Sequence, residues 1–263
     1  MTDGSSPAAA PLAGRRLVVT RPEGQADSLC RAIAAAGGEA LRFPVLAIAP
    51  AVDPGPLQAI AARLEEFDLA FFVSPNAVKY ALSELLARRR WPPALRVATV
   101  GKGSERALAA HGFGRVIAPA DGFDSEAVLA LPEFAPQAMA GRRVVIFRGD
   151  GGRDLLADTL RSYGAVVEFV PCYRRFRPAL DAAPLIAAAR EGKVDALLLT
   201  SSEGVGNLAA MLGEEGIAVM RAVPAFVSHP RIAARARAAG FRAVVETEAG
   251  DQGLMRALER YFG

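Results

Sequence analysis

The chain has 263 residues, 52% of them hydrophobic, with 31 Lys+Arg against 28 Asp+Glu and a formal net charge of +3. That length suits two compact domains of about 100–130 residues each. No apolar run approaches the roughly 18–20 residues of a membrane span, and neither a membrane nor a nucleic-acid partner is expected. Residues 1–13 lack a basic segment followed by a leucine-rich one, so they read as a disordered tail and not as a signal peptide. Cys30 and Cys172 have no metal-like spacing and read as free thiols in a reducing cytoplasm. The basic residues are almost all arginine, Lys79, Lys102 and Lys193 being the only lysines. Guanidinium forks suit carboxylates and phosphates, although genome composition produces the same bias.

Short apolar runs alternate with amphipathic stretches of about 10–15 residues, the pattern of βα units on a parallel sheet. The predicted elements begin with strand Leu17–Thr20, helix Gly24–Ala36, strand Ala40–Phe43, strand Leu69–Val73 and helix Asn76–Arg89. Strand Val97–Val100, helix Gly103–His111 and strand Val116–Ala118 follow. The series resumes with strand Val144–Phe147, helix Arg153–Tyr163, strand Val166–Val170 and strand Ala196–Thr200. It closes with helix Gly204–Gly213, strand Ala225–Ser228, helix Arg231–Ala239 and strand Ala243–Glu246. These continuous Val/Leu/Ala/Phe runs suit strands buried on both faces. Gly37, Gly112, Gly164 and Gly240 fall just past helix ends, where a left-handed cap is wanted.

The chain also repeats itself. Arg15-Arg16-Leu-Val-Val-Thr-Arg21 returns as Arg142-Arg143-Val-Val-Ile-Phe-Arg148, an offset of 127 residues from Arg15 to Arg142. The same register carries Gly37 onto Gly164, Pro44 onto Pro171, Asp68 onto Asp195 and Ser74-Pro75-Asn76 onto Ser201-Ser202-Glu203. The period is too long for a solenoid unit, so each copy is domain-sized, and a ligand is expected in the cleft between copies. The architecture expected is two flavodoxin-like α/β domains. The extended, proline-bounded segments Phe43–Pro50 and Val170–Pro178 occupy equivalent positions and look like strands leaving their sheets. If both cross between domains, the first domain is discontinuous. A serial arrangement split near Pro136 fits the periodicity equally well.

Ligands of open α/β sheets bind outside the carboxyl ends of the strands. The loops there contain Thr20-Arg21, Ser74 and Asn76, Gly101 to Ser104, Arg148-Gly149, Thr200-Ser201 and Ser228-His229. They open onto helix N-termini, whose free N–H groups and dipoles favour anions, although each Ser or Asn taken alone reads equally as a cap. Gly101-Lys102-Gly103-Ser104 fits neither a Walker A loop nor a dinucleotide fingerprint. His229 has no second ligand near it in sequence, so no metal site is expected. Glu23, Asp27, Asp150 and Asp154 lie on or beside first helical turns, where the dipole accounts for them. The copies differ most informatively at Leu46, which aligns with Tyr173, followed by Arg174, Arg175 and Arg177. That tyrosine is either a packing residue with a wet hydroxyl or a phenol placed to protonate a leaving group.

Taken in order, LVVTRPEGQ, FVSPNAV, VPCYRRFRP, LLLTSSEGVGNL and VSHPRIAARARAAGF resemble the uroporphyrinogen-III synthase family over about residues 15–260. The resemblance implies two flavodoxin-like parallel-sheet domains joined by a two-stranded linker, residues 14–45 with 176–263 and residues 46–175. It implies closure of linear hydroxymethylbilane to uroporphyrinogen III with inversion of the fourth pyrrole, by a cytoplasmic monomer without cofactor or metal. It also implies transient contact with hydroxymethylbilane synthase. Tyr173 then matches the linker tyrosine that assists departure of the hydroxyl. Ser74, Asn76, Thr200, Ser201, Ser228 and His229 match positions facing the substrate carboxylates, Thr20 and Arg21 the first cleft loop, and Gly101 and Ser104 the glycine-rich loop; Arg148 and Gly149 join these substrate-binding candidates as strand-end residues. Glu203 is left out, because an acid suits carboxylates poorly. The alternatives are a two-lobed cytoplasmic binding or sensor protein for a small anion, and a nucleotide-dependent transferase, which the failed glycine motifs disfavour.

Overall fold

A computed structural model describes residues 10–122 and 124–263. The chain starts with β1 (Arg16–Val19), α1 (Asp27–Ala35) and β2 (Glu39–Arg42). It continues through β3 (Ala47–Pro50), α2 (Gly55–Ala62), β4 (Leu69–Phe72), α3 (Pro75–Arg88), β5 (Arg96–Thr99), α4 (Lys102–Ala110) and β6 (Val116–Ile117). Two short helices, α5 (Ser125–Leu129) and α6 (Pro136–Met139), precede β7 (Arg143–Gly149), α7 (Leu155–Ser162) and β8 (Val166–Phe176). The last stretch is α8 (Ala183–Arg190), β9 (Ala196–Leu199), α9 (Ser202–Met220), β10 (Ala225–Val227), α10 (Pro230–Ala238), β11 (Val244–Glu246) and α11 (Gly250–Phe262).

These elements divide into two compact units, one taking the described residues up to Ala47 together with Phe176–Gly263, the other Ile48–Arg175. The first holds a five-stranded sheet ordered β11-β10-β9-β1-β2, the second a six-stranded sheet ordered β3-β8-β7-β4-β5-β6. The pairings within β1, β2 and β9–β11, and within β4–β8, are parallel. Renumbered from β1, the first sheet has the flavodoxin order 2-1-3-4-5. Renumbered from β7, the second has the same order with β3 added at its edge, so it is a circular permutant of the first. The chain changes unit inside β3 and inside β8, and those two strands are neighbours in one sheet.

The repeat has a physical signature beyond strand order. Asp68 accepts from the Arg143 backbone N–H and from Arg142 Nη1, both at 2.8 Å. Asp195 accepts from the Arg16 N–H at 2.8 Å and from Arg15 Nη1 at 3.0 Å. Each carboxylate thus ties the start of the central strand to its neighbour, β7 to β4 and β1 to β9. Burial alone would raise the Asp68 carboxyl, but the Arg143 N–H and the Arg142 guanidinium outweigh it and hold the group below the usual carboxylate range. Gly37 and Gly164 both adopt left-handed φ, 85° and 87°, where an L side chain would be strained.

Three differences from the sequence reading have local causes. The tail does not extend to residue 13: Leu12 is fully buried against α1 and donates its N–H to the Ala36 carbonyl. Residues 1–9 lie outside the described residues. The helix expected over Gly24–Ala36 is a 3-10 turn, Glu23–Gln25, followed by α1. The helix expected to end at Gly213 bends there instead, with φ 64° and ψ −176°, and α9 runs on to Met220.

Candidate functional site

Parallel strands put all their carboxyl ends on one edge, and strand order reverses between β7 and β4, opening a crevice there. In the second unit that edge holds a cavity of about 380 Å³. Of the residues expected at a site, it brings together Ser74, Asn76, Arg148 and Tyr173; Asp124, Arg153, Phe169 and Arg175 also line it. Gly101 and Ser104 line an adjoining groove that shares Val73, Ser74 and Val100 with the cavity. Gly101 is the extended N-cap of α4, and Ser104, only 2% exposed, sits in that helix's first turn.

Tyr173 reaches the cavity through an irregularity in β8. The register passes from Arg148↔Pro171 to Gly149↔Tyr173, so Cys172 is an extra residue on its strand. Such a bulge breaks the alternation of side chains, and Cys172 and Tyr173 are both buried as a result. The Tyr173 ring stacks at 6.1 Å on Tyr80, whose hydroxyl donates to the Ile48 carbonyl. Its phenol oxygen lies 3.1 Å from Ser74 Oγ, which also accepts the Ala77 N–H at the start of α3. A Cβ on Gly149 would stand 3.0 Å from ring atoms Cε2 and Cζ, so the bare glycine is what admits the ring.

Arg148, 9% exposed, lays its guanidinium over Phe169, 4.4 Å from the ring centroid, and donates from Nη1 to Asp154 Oδ1 at 2.5 Å. Asp154, at the N-cap of α7 as its helix-start reading expects, is also the counter-ion of a buried arginine. Asp27 likewise pairs with Arg42, at 2.7 Å. Asp150 spans the bulge, donating its N–H to the Tyr173 carbonyl and accepting the Arg175 N–H. Cys172 donates to the Arg148 carbonyl, and burial pushes its thiol up to about 12.

The remaining expected residues lie at the carboxyl edge of the first unit's sheet, where four of them make bonds within the protein. Thr20, buried, gives its hydroxyl to the Leu198 carbonyl at 2.7 Å. Arg21 pairs with Asp251 at 2.5 Å. Ser201 caps α9 by accepting the Gly204 N–H, and His229 caps α10 by accepting the Arg231 N–H at Nδ1. Thr200 and Ser228 follow β9 and β10, half-buried. Sequence reasoning passed over Tyr80, Phe169, Gly152 and Asp124. Tyr80 lies within α3, Phe169 within β8, Gly152 in the loop after β7 and Asp124 at the cap of α5, so no shared sequence pattern marks them.

The family model described as uroporphyrinogen-III synthase HemD matches residues 27–256. The chain belongs to the uroporphyrinogen-III synthase family. Uroporphyrinogen-III synthase of Escherichia coli strain K12 is 32% identical over 249 residues, covering 92% of this chain and 99% of that protein. The Salmonella typhimurium enzyme of the same name is 35% identical, over 73% of this chain and 78% of its own. Among solved structures, a mutant uroporphyrinogen III synthase from the extremely thermophilic bacterium Thermus thermophilus superposes with TM-score 0.60 at 17% identity, covering 94% of this chain and 98% of that one. The uroporphyrinogen-III synthetase of Helicobacter pylori 26695 gives 0.56 at 13% identity, covering 94% and 99%. At such identities the structures establish the shared fold. The relatives do not favour a non-catalytic anion sensor. No helix of the described residues is long and apolar enough to cross a membrane.

Proposed function

We propose that the chain closes hydroxymethylbilane to uroporphyrinogen III, with Tyr173 as the acid that releases the terminal hydroxyl. The observation that carries this reading is a buried phenol at the strand-order reversal, hydrogen-bonded to the capping serine of a helix and flanked by Arg148, Arg153 and Arg175. The guanidiniums suit a polycarboxylate. The α3 N-terminus, acting through Ser74, favours negative charge on the phenol oxygen once its proton has left.

The reaction needs little more. The pyrrole nitrogen pushes out the terminal hydroxyl, which takes the phenol proton and leaves as water, giving an azafulvenium. Attack from the substituted carbon of the last ring forms a spiro intermediate, which fragments and recloses as the III isomer. The ring proton lost on aromatisation restores the phenol. Because the bilane also closes unaided to isomer I, the main task is to hold one geometry. Ser74, Asn76, Gly101, Ser104, Arg148 and Gly149, with Thr20, Arg21, Thr200, Ser201, Ser228 and His229, are the substrate-binding positions of this reading. It includes a cytoplasmic monomer in transient contact with hydroxymethylbilane synthase, since an unstable bilane gains from short transit. Incubation with freshly generated hydroxymethylbilane, followed by separation of the product isomers, tests it: isomer III is expected, and isomer I alone overturns it.

A further inference from the structure

Arg148 carries more bonding capacity than the protein uses. A guanidinium has five N–H donors, yet Asp154 is the one acceptor bound to it among the described residues. Its side chain is 11% exposed and lines the cavity. The nitrogens that Asp154 leaves unused are not sealed from solvent, so they are open to an acceptor that enters the cavity. Phe169 covers one side of the group, and Nη2 comes within 2.9 Å of where a Cβ on Gly152 would stand. A fork fixed in this way, with Nε and Nη2 unused, matches the two oxygens of a carboxylate.

The repeat supplies a control. The offset that relates the two copies carries Arg21 onto Arg148, and Arg21 is also held by an aspartate, Asp251, at 2.5 Å. The two aspartates are not equivalent: Asp154 aligns with Asp27, which serves Arg42 instead. A strut inherited with the fold would use the same acid in both copies. Asp251 is further tied by Ser28 at 2.6 Å and is 31% exposed, whereas Asp154 is 55% exposed and, among the described residues, its side chain pairs with Arg148 alone. The first pair is closed, the second open.

We infer that Asp154 is a positioning residue that sets how strongly Arg148 holds an acetate or propionate carboxylate of the substrate in the second unit's cavity. The inference rests on the synthase reading above. Asp154 fixes the fork through Nη1 and offsets part of its charge, so that the arginine binds a substrate carboxylate without over-binding it. Asp154→Asn keeps an oxygen for Nη1 and removes only the charge. One unit charge about 6 Å from the bound carboxylate, in partly screened surroundings, is worth about three- to tenfold in affinity. The expected result is a KM for hydroxymethylbilane lower by that factor. With binding changed equally in ground and transition states, kcat stays within about twofold. Arg148→Gln should raise KM, and adding Asp154→Asn to it should change nothing further. A folded D154N enzyme whose KM is unchanged or raised overturns the inference, and so does a D154N chain that fails to fold, since the pair would then be a strut. Failure of the synthase reading shows separately, as isomer I alone from the unmodified enzyme.

Discussion

Gly149→Ala isolates the position of the Tyr173 phenol from its chemistry. Gly149 is not in the left-handed region, so alanine adopts the same backbone without strain. Its new Cβ would lie 3.0 Å from two ring carbons and 3.3 Å from the phenol oxygen, against an ordinary carbon–carbon separation of about 3.5–4.0 Å. The ring must therefore give way by roughly half an ångström. Moved by that amount away from Ser74, the phenol leaves its 3.1 Å contact and passes out of hydrogen-bonding range, which ends at about 3.5 Å. A misplacement of about 1 Å at a reacting group costs on the order of 10²-fold, so about tenfold in kcat is expected here. Over-packing costs about 1–3 kcal/mol of stability, at the lower end because the cavity can accept the ring. The assay is the steady-state rate of isomer III formation, alongside thermal unfolding. A G149A enzyme at wild-type kcat would refute the claim that turnover depends on the held phenol.

Tyr173→Phe keeps the ring stacked on Tyr80 and should leave the melting temperature within a few degrees, while kcat falls by about tenfold or more, as loss of a positioned general acid requires. Asp68→Asn and Asp195→Asn should destabilise their units by similar amounts, about 1.5–3 kcal/mol each for charge-assisted bonds; chemical denaturation showing one large and one negligible effect would contradict the equivalence of the clasps. The Asp68, Asp251 and Glu168 carboxyls are all held below their ordinary values. Burial pushes the first two up, but arginine and hydrogen-bond partners more than offset it; for Glu168 the Arg63 bond dominates. Near pH 4 these groups hold fewer protons folded than unfolded, so their stabilisation is complete above about pH 5 and is lost as pH falls through the folded values. The melting temperature should drop steeply below about pH 4, and one unchanged down to pH 3 would exclude the effect. Cys172, with its thiol raised to about 12, should resist iodoacetamide at pH 8 unless the chain is unfolded, as mass spectrometry of the labelled protein would show.

Strands and caps were legible in the sequence because buried parallel strands write continuous apolar runs, and because Gly37 and Gly164 punctuate equivalent helix ends. Helices α2, α8 and α11 were not. The first opens with Gly55-Pro56, which reads as a turn, and α8 is alanine-rich with Leu185 its one buried residue, leaving no periodic stripe. The third begins at Gly250 in a left-handed conformation with no capping side chain. Tyr173 stood out because Leu46 marks the same position in the other copy. The Asp154–Arg148 pair and the fit of Gly149 to the tyrosine ring depend on the β8 bulge and on which strands are neighbours. A single chain's pattern encodes neither, since a bulge looks like any two adjacent buried residues.

The activity and the role of the phenol are tested together by purified protein, freshly generated hydroxymethylbilane and chromatographic separation of the uroporphyrinogen isomers, for the unmodified enzyme and for Tyr173→Phe side by side. Isomer III is expected from the unmodified enzyme, and a slower yield of the same isomer from the variant. Isomer I at the spontaneous rate from the unmodified enzyme would contradict the activity. Equal rates of isomer III from both would contradict the role given to the phenol.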